Sequence, residues 1–215
     1  LKGSLLAMTA DHHSVVGEIK SLTLPDNTRL WLNTASAIDI RYSDQRREIA
    51  LLAGDILIET AADARPFFVT TAQGHLQALG TRFSVAQEPD ATTLTVYQHA
   101  VEVSAKYASA ARRVNAGYHL RFNADGQGDM LPNQQNDADW SHGVLQADNM
   151  PLGEVVEKLS RYRHGYLACQ PAIADLRVMG TFPLTDTDMA LNMLAQAFPV
   201  RIQRRFPWWV TVEPR

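Results

Sequence analysis

Apolar and polar residues alternate with a period of two through most of the first half of the chain. Leu22 and Leu24 alternate with Ser21 and Thr23, the cluster Pro25-Asp26-Asn27 turns the backbone, and Leu30 and Leu32 resume the pattern. That arrangement predicts a hairpin from Leu22 to Leu32, because Pro fixes φ and Asn and Asp tolerate bent backbone. Ile38, Ile40 and Tyr42 share one face and Asp39 and Arg41 the other, before Ser43-Asp44-Gln45 turns the chain again. Ile49 and Leu51, Ile56 and Ile58, Phe67 and Val69, Leu76 and Ala78, and Phe83 and Val85 continue the series. After Glu88-Pro89-Asp90, Leu94 and Val96 face Val101 and Val103 as a second expected hairpin, and Leu120 and Phe122 close the run. No stretch here keeps a helical period. Residues 1–125 are therefore expected to form an all-β domain of stacked sheets, for which a sandwich and a solenoid-like stack fit equally well.

From Asn123 to Asp139 the chain reads NADGQGDMLPNQQNDAD, with almost no large apolar side chain. Such a segment buries too little surface to offset its chain entropy, so residues 126–139 are read as a linker or long loop. Residues 140–215 have another rhythm. Val144 to Ala147 reads as a strand, and Asp148 or Asn149 is placed to cap a helix opened by Pro151. Leu152, Val155, Val156, Leu159 and Tyr162 fall at helical spacing, and Gly165 is expected to end that helix. Tyr166 to Ala168 and Leu176 to Phe182 read as strands. Thr185 is expected to cap a second helix, with Asp186 and Asp188 in its first turn and Met189, Leu191, Met193, Leu194 and Phe198 on its apolar side. Val200 to Gln203 and Trp208 to Val212 close the chain as strands. The predicted fold class is mainly β with an α+β C-terminal domain, built as βαβ-βαβ with two helices on one small sheet.

Composition narrows the function classes. The 215 residues are 46% hydrophobic and 20% charged, which is a globular balance. The net charge of −3 argues against a duplex nucleic-acid binder. The longest uncharged run, between Arg65 and Arg82, contains Pro66, Gln73, Gly74, His75 and Gln77, and is no membrane span. The single cysteine, Cys169, excludes an internal disulfide and a cysteine-rich zinc site. A chain starting at Leu1 suggests a fragment or a processed product.

Catalytic chemistry finds no support. His12 and His13 point to opposite faces of a strand, and none of the seven histidines stands at metal-ligand spacing. Cys169 has no companion, and neither G-x-S-x-G nor H-E-x-x-H occurs. Gly126-Gln127-Gly128 does not join a strand to a helix, and Asp186 and Asp188 suit a helix N-terminus better than an acid–base pair. The expectation is a binding protein, not an enzyme, with no cofactor and no metal. The candidate partner-binding residues lie at the end: Arg201, Arg204, Arg205, Phe206, Trp208 and Trp209. In a hairpin, one tryptophan would face the helices and the other would face out beside the arginines, the composition of an interface hot spot. The alternative, in which both tryptophans cover a small core, stays open. A free sheet edge offers strand addition as a further docking mode.

Several segments resemble the FecR family. The run Gly17 to Asn33 looks like the opening of the FecR domain, as do GDILIET (54–60), PFFVTTAQGHLQALGTRFSV (66–85), LTVYQHAVEV (94–103) and VNAGYHLRF (114–122). The tail, with PLGEVVEKLSRY (151–162) and VMGTFPLTDTDMALNML (178–194), resembles the short secretin-and-TonB N-terminal (STN) domain. The family comprises inner-membrane sigma-factor regulators of the ferric-citrate and ferric-pseudobactin type. The resemblance implies a periplasmic region that binds the signalling domain of an outer-membrane TonB-dependent siderophore transporter. Membrane attachment and sigma-factor contact would belong to a transmembrane helix and a cytoplasmic segment that this sequence lacks. Two other classes compete: a structural module of a secretion or uptake assembly, and a β-rich carbohydrate-binding domain or hydrolase using Trp31, Trp140, Trp208 and Trp209. The FecR-like strands speak against the first, and the scattered tryptophans without a carboxylate pair speak against the second.

Overall fold

The computed structural model describes residues 9–133 and 138–215. They divide into two compact units: residues up to Val15 with Ile19–Ala138, and Val16–Glu18 with Asp139–Arg215.

Among the described residues the first unit is built of β-strands. Its strands are β1 (His12–His13), β2 (Lys20–Thr23), β3 (Arg29–Leu32), β4 (Ala37–Tyr42), β5 (Arg47–Glu59), β6 (Phe67–Thr70), β7 (Gly74–Ala78), β8 (Arg82–Gln87), β9 (Thr92–Val96), β10 (Ala100–Ala105), β11 (Arg112–Asn115), β12 (Tyr118–Phe122) and β13 (Met130–Pro132). They form two layers that share β5. One layer runs β1-β4-β5-β6-β7-β10-β11, and the other runs β2-β3-β5-β8-β9-β12-β13. Inward residues of both layers make one core. Ile38, Ile49, Val69, Leu76 and Val101 come from the first layer, and Leu30, Ile56, Phe83, Leu94 and Leu120 from the second. From β6 onward the chain lays two strands in one layer, then two in the other. The fold is thus a sandwich in its layers and solenoid-like in its winding, which unites the two architectures the period alone left open.

That winding corrects one expected hairpin. β9 and β10 do not pair. β9 lies between β8 and β12, and β10 lies between β7 and β11. The chain changes layer between them, through His99 at φ +55. Alternation identifies strands but not their partners, so two adjacent strands looked like a pair.

The sharing of β5 demands a bend. Thirteen extended residues would hold its ends ~40 Å apart. Yet the Arg47 guanidinium, at the start of β5, donates to the carbonyl of Ala61, two residues past its end, at 3.2 Å. β5 folds back at Gly54, where φ is +78°. Residues up to Ala53 pair with β4, and residues from Gly54 pair with β8. A Cβ at Gly54 would collide with the Ser36 side chain and backbone, so the corner requires glycine. Buried polar groups hold it. Ser36 Oγ accepts from the Asp55 amide at 2.9 Å, Ser14 Oγ accepts from the Ser36 amide at 2.9 Å, and Asn33 Nδ2 donates to Asp55 Oδ2 at 3.2 Å.

The open ends of the bent strand are clamped by a second buried network. Arg47 and Asp26 pair at 2.7 Å with side chains 5% and 1% exposed. Arg47 also donates to the Arg65 carbonyl at 2.8 Å, while Asp26 accepts from Thr28 Oγ1 at 2.7 Å and from the Tyr42 hydroxyl at 3.2 Å. Burial pushes the Asp26 carboxyl up, but hydrogen bonds from Arg47 and Thr28 outweigh it and hold it below its ordinary value. Burial, with the Asp26 charge beside it, pushes the Tyr42 phenol up.

The second unit is α+β: β14 (Val144–Pro151), α1 (Leu152–Ser160), β15 (Tyr166–Cys169), β16 (Arg177–Pro183), α2 (Thr187–Ala197), β17 (Val200–Phe206) and β18 (Trp209–Pro214). The expected single sheet is two sheets. β14 pairs with β16, and β15-β18-β17 forms the other, with β15 parallel to β18. Leu152, Val155, Val156 and Leu159 of α1 and Ala190, Leu191 and Leu194 of α2 are buried.

Three local expectations also change. Asp148 and Asn149 do not cap α1. They lie in a bulge of β14, and the first free amides, of Leu152 and Gly153, bond instead to the Leu176 and Ala174 carbonyls. Asp186, not Thr185, caps α2, accepting from the Met189 amide at 2.9 Å. The first helix stops at Ser160, well before Gly165. Within the segment expected as a linker, Met130–Pro132 is strand β13, paired to β12. Residues 134–137 lie outside the described residues.

Two outcomes test this account. Gly54→Val is expected to destabilise by about 2 kcal/mol or more, since a β-branched side chain must enter the left-handed region and displace Ser36; urea midpoints measure it. Asp26 stabilises above about pH 4, and that stability is lost as pH falls through its lowered native value. Asp26→Asn is therefore expected to unfold more easily than wild type at pH 7, with the difference shrinking through the acid range in a pH series of denaturation curves.

Candidate functional site

The sequence-predicted residues come together on the β17–β18 hairpin. Phe206 pairs with Trp209, and Pro207 and Trp208 form the two-residue turn between them. Proline presets φ for the first corner. The strand begins at Trp209, so Trp208 sits on the tip, beyond the reach of the core. Val210 and Val212 are buried, and the period of two then sends Trp209 to the opposite face. Both tryptophans are exposed, at 58% and 41%, so the expectation that one or both would cover the core is corrected.

The tip is an exposed aromatic cluster. Phe206 stacks on Trp208 with centroids 5.3 Å apart, and Trp209 meets Tyr166 at 4.5 Å. Tyr166 is half exposed and was missed by the sequence reading. It comes from β15, which runs parallel beside β18 and puts Tyr166 opposite Trp209. The preceding Gly165 makes this possible. At φ +95 it lets the Trp208 carbonyl approach where a Cβ would collide, and that carbonyl accepts from the Tyr166 amide at 2.6 Å. A Gly-Tyr pair ahead of a strand was the one available signal.

The arginines are exposed but not equivalent. Arg201 pairs with Glu213 at 3.0 Å across the hairpin. Arg204 reaches Asp188 at the start of α2 at 3.3 Å, and Arg163 reaches the same carboxylate oxygen at 3.2 Å. Burial opposes ionisation of Asp188, but the two arginines prevail and hold its carboxyl below the usual range. Hydrogen bonding from Thr211, with Arg201 adding to it, lowers Glu213 likewise. Arg205 sits in the bulge between Arg204 and Phe206 and makes no ion pair with a described residue. Positive charge therefore exceeds negative along this hairpin.

Elsewhere the candidates of the sequence reading are dispersed. Trp31 and Trp140 are half-buried. Cys169 is partly buried, and burial pushes its thiol up, away from the reactive thiolate. Among the described residues no group of three or more His, Cys, Asp or Glu side chains is arranged to hold a metal ion. No described helix is long and apolar enough to cross a membrane.

Residues 10–102 match the family described as FecR protein. No curated protein sequence matches the chain. Among solved structures, two crystal structures described as "a putative anti-sigma factor from Parabacteroides distasonis ATCC 8503" are similar. Each is 21% identical, with 95% of this chain and 98% of that chain covered, at TM-scores of 0.68 and 0.69. The chain shares their fold over nearly its whole length.

The tip residues contribute little to folding. Trp208→Ala is expected to shift stability by about 1 kcal/mol or less, whereas Leu191→Ala, in the buried face of α2, is expected to cost about 2–5 kcal/mol. Urea unfolding of both variants checks the contrast.

Proposed function

We propose that the chain is the periplasmic signalling region of an inner-membrane sigma-factor regulator. It receives its signal by binding the N-terminal signalling domain of an outer-membrane TonB-dependent siderophore transporter, and so acts in the control of iron-uptake genes. The observation that carries the reading is the FecR match over residues 10–102. The two structural neighbours, described as an anti-sigma factor, support the same class.

The mechanism is binding without chemistry. The second unit offers what a protein partner needs: large aromatics already outside the core and an excess of arginine around them. Tryptophan and phenylalanine at an exposed turn present apolar area with little rotamer freedom to lose, and the arginine charge steers an acidic partner. Occupancy of this surface is the signal, and the rest of the regulator converts it into altered proteolysis and sigma-factor release.

Calorimetric titration of this chain with the signalling domain of a transporter from the same bacterium tests the reading. Saturable 1:1 binding is expected, and Trp209→Ala and Phe206→Ala are each expected to weaken it tenfold or more. Absence of binding to the matched domain overturns the receiver role.

A further inference from the structure

We propose that the outer edge of β17 is a docking rail for an acidic β-strand of the partner; this inference rests on the receiver reading above and specifies how the partner is held. The backbone geometry assigns the rail. The amides of Tyr166 and Gln170 in and beside β15 bond to the carbonyls of Trp208 and Val212, so the even positions of β18 face β15. The odd positions therefore face β17. The Arg215 amide bonds to the Pro199 carbonyl, which sets the phase of the β17–β18 ladder. With the register Arg201 to Glu213 and Gln203 to Thr211, the main-chain groups of Arg201 and Gln203 point to β18. Those of Ile202 and Arg204 point the other way, and among the described residues no further strand pairs with β17. The Val200 amide is already used by the Phe198 carbonyl. Two amides and the carbonyls beside them are thus left facing outward on the edge of an exposed strand.

The charge on the strand selects the occupant. An unguarded edge invites pairing with any other edge, including that of a second copy. β17 carries Arg201, Arg204 and Arg205 within seven residues. Two such strands laid side by side would set like charges against each other, which disfavours self-pairing. A strand bearing Asp or Glu at matching positions meets the opposite condition and gains main-chain hydrogen bonds as well. The other free edges of this unit lack these features. β14 is broken by its bulge, and β15 and β16 carry no run of like charge. The aromatic tip at Phe206, Trp208 and Trp209 then lies at the end of the rail, where it anchors a strand already aligned.

Amide exchange followed residue by residue on the whole chain tests this, first alone and then with the matched transporter signalling domain. In the chain alone, Arg201 and Gln203 are expected to exchange slowly and Ile202 and Arg204 fast. On binding, Ile202 and Arg204 are expected to slow tenfold or more, filling in the alternation. Arg204→Pro removes an outward amide without removing a bond to β18, and is expected to weaken binding by a larger factor than Arg204→Ala, which removes the charge alone. Binding with Ile202 and Arg204 still exchanging fast overturns the rail and leaves the receiver role standing. No binding at all overturns the receiver role and the rail with it. Protection of the two amides on raising the concentration of the chain alone makes the occupant a second copy, and also overturns the acidic-strand assignment.

Discussion

The all-β unit depends on one strand serving two layers. β5 does so by folding back at Gly54, and the bend decides the rest. It brings the two ends of the strand near enough for a connection of seven residues, 60–66, to start β6 in parallel beside Arg47. A parallel crossover ordinarily needs a dozen residues or more. Here the strand itself provides the return. The corner is fixed by buried polar groups on Ser14, Asn33, Ser36 and Asp55, and the open ends by the Arg47–Asp26 pair. These groups are costly to bury singly and are kept because each finds its partner inside the unit. An apolar replacement at the clamp would fill the volume, but it would lose the Arg65 and Ala61 carbonyls that Arg47 gathers.

The α+β unit distributes its apolar residues differently. Its helices and the inner faces of its sheets bury mainly aliphatic side chains, with Tyr162 and Phe182, while Phe206, Trp208 and Trp209 stay outside on one hairpin. That division leaves the tip only a small part in stability. Residues on it can change with the partner while α1, α2 and Val210 keep the unit folded. The ion pairs at the hairpin are partly solvated and add little to stability; their effect is to orient Arg201 and Arg204, while Arg205 makes no ion pair with a described residue.

Much of this was legible in the chain. Period-two alternation located β2 to β10 and β12 of the first unit, because one face of each is buried and the other is not, but it missed the short β1, β11 and β13. The turn at Pro25-Asp26-Asn27 and the apolar stripe of α1 were equally plain. The pairing of β9 was not, because adjacent alternating segments carry no mark of which layer they enter. Nor was the double role of Gly54: a glycine before an aspartate reads as a turn between two strands, not as a corner within one. At the site, the six residues of the hairpin stood out by composition, but Trp208 was placed in a strand that starts one residue later. Tyr166 and Asp188 lie distant in sequence and reach the hairpin only through parallel pairing and helix packing, which no local pattern encodes.

The alternate laying of strands also bears on how such a unit changes length over evolution. From β6 onward both layers grow away from β5, each time by a pair of strands, and within its layer each pair is joined only to the pair before it, while its inward face packs on the other layer. A duplication of four consecutive strands would therefore lengthen both layers evenly, and a deletion of four would shorten them, without moving the corner or the clamp. Loss or gain of a single hairpin would leave one layer overhanging the other, with its apolar face bare. Relatives of different size are thus expected to differ by even increments at the β11 and β13 end, with the founding corner unchanged.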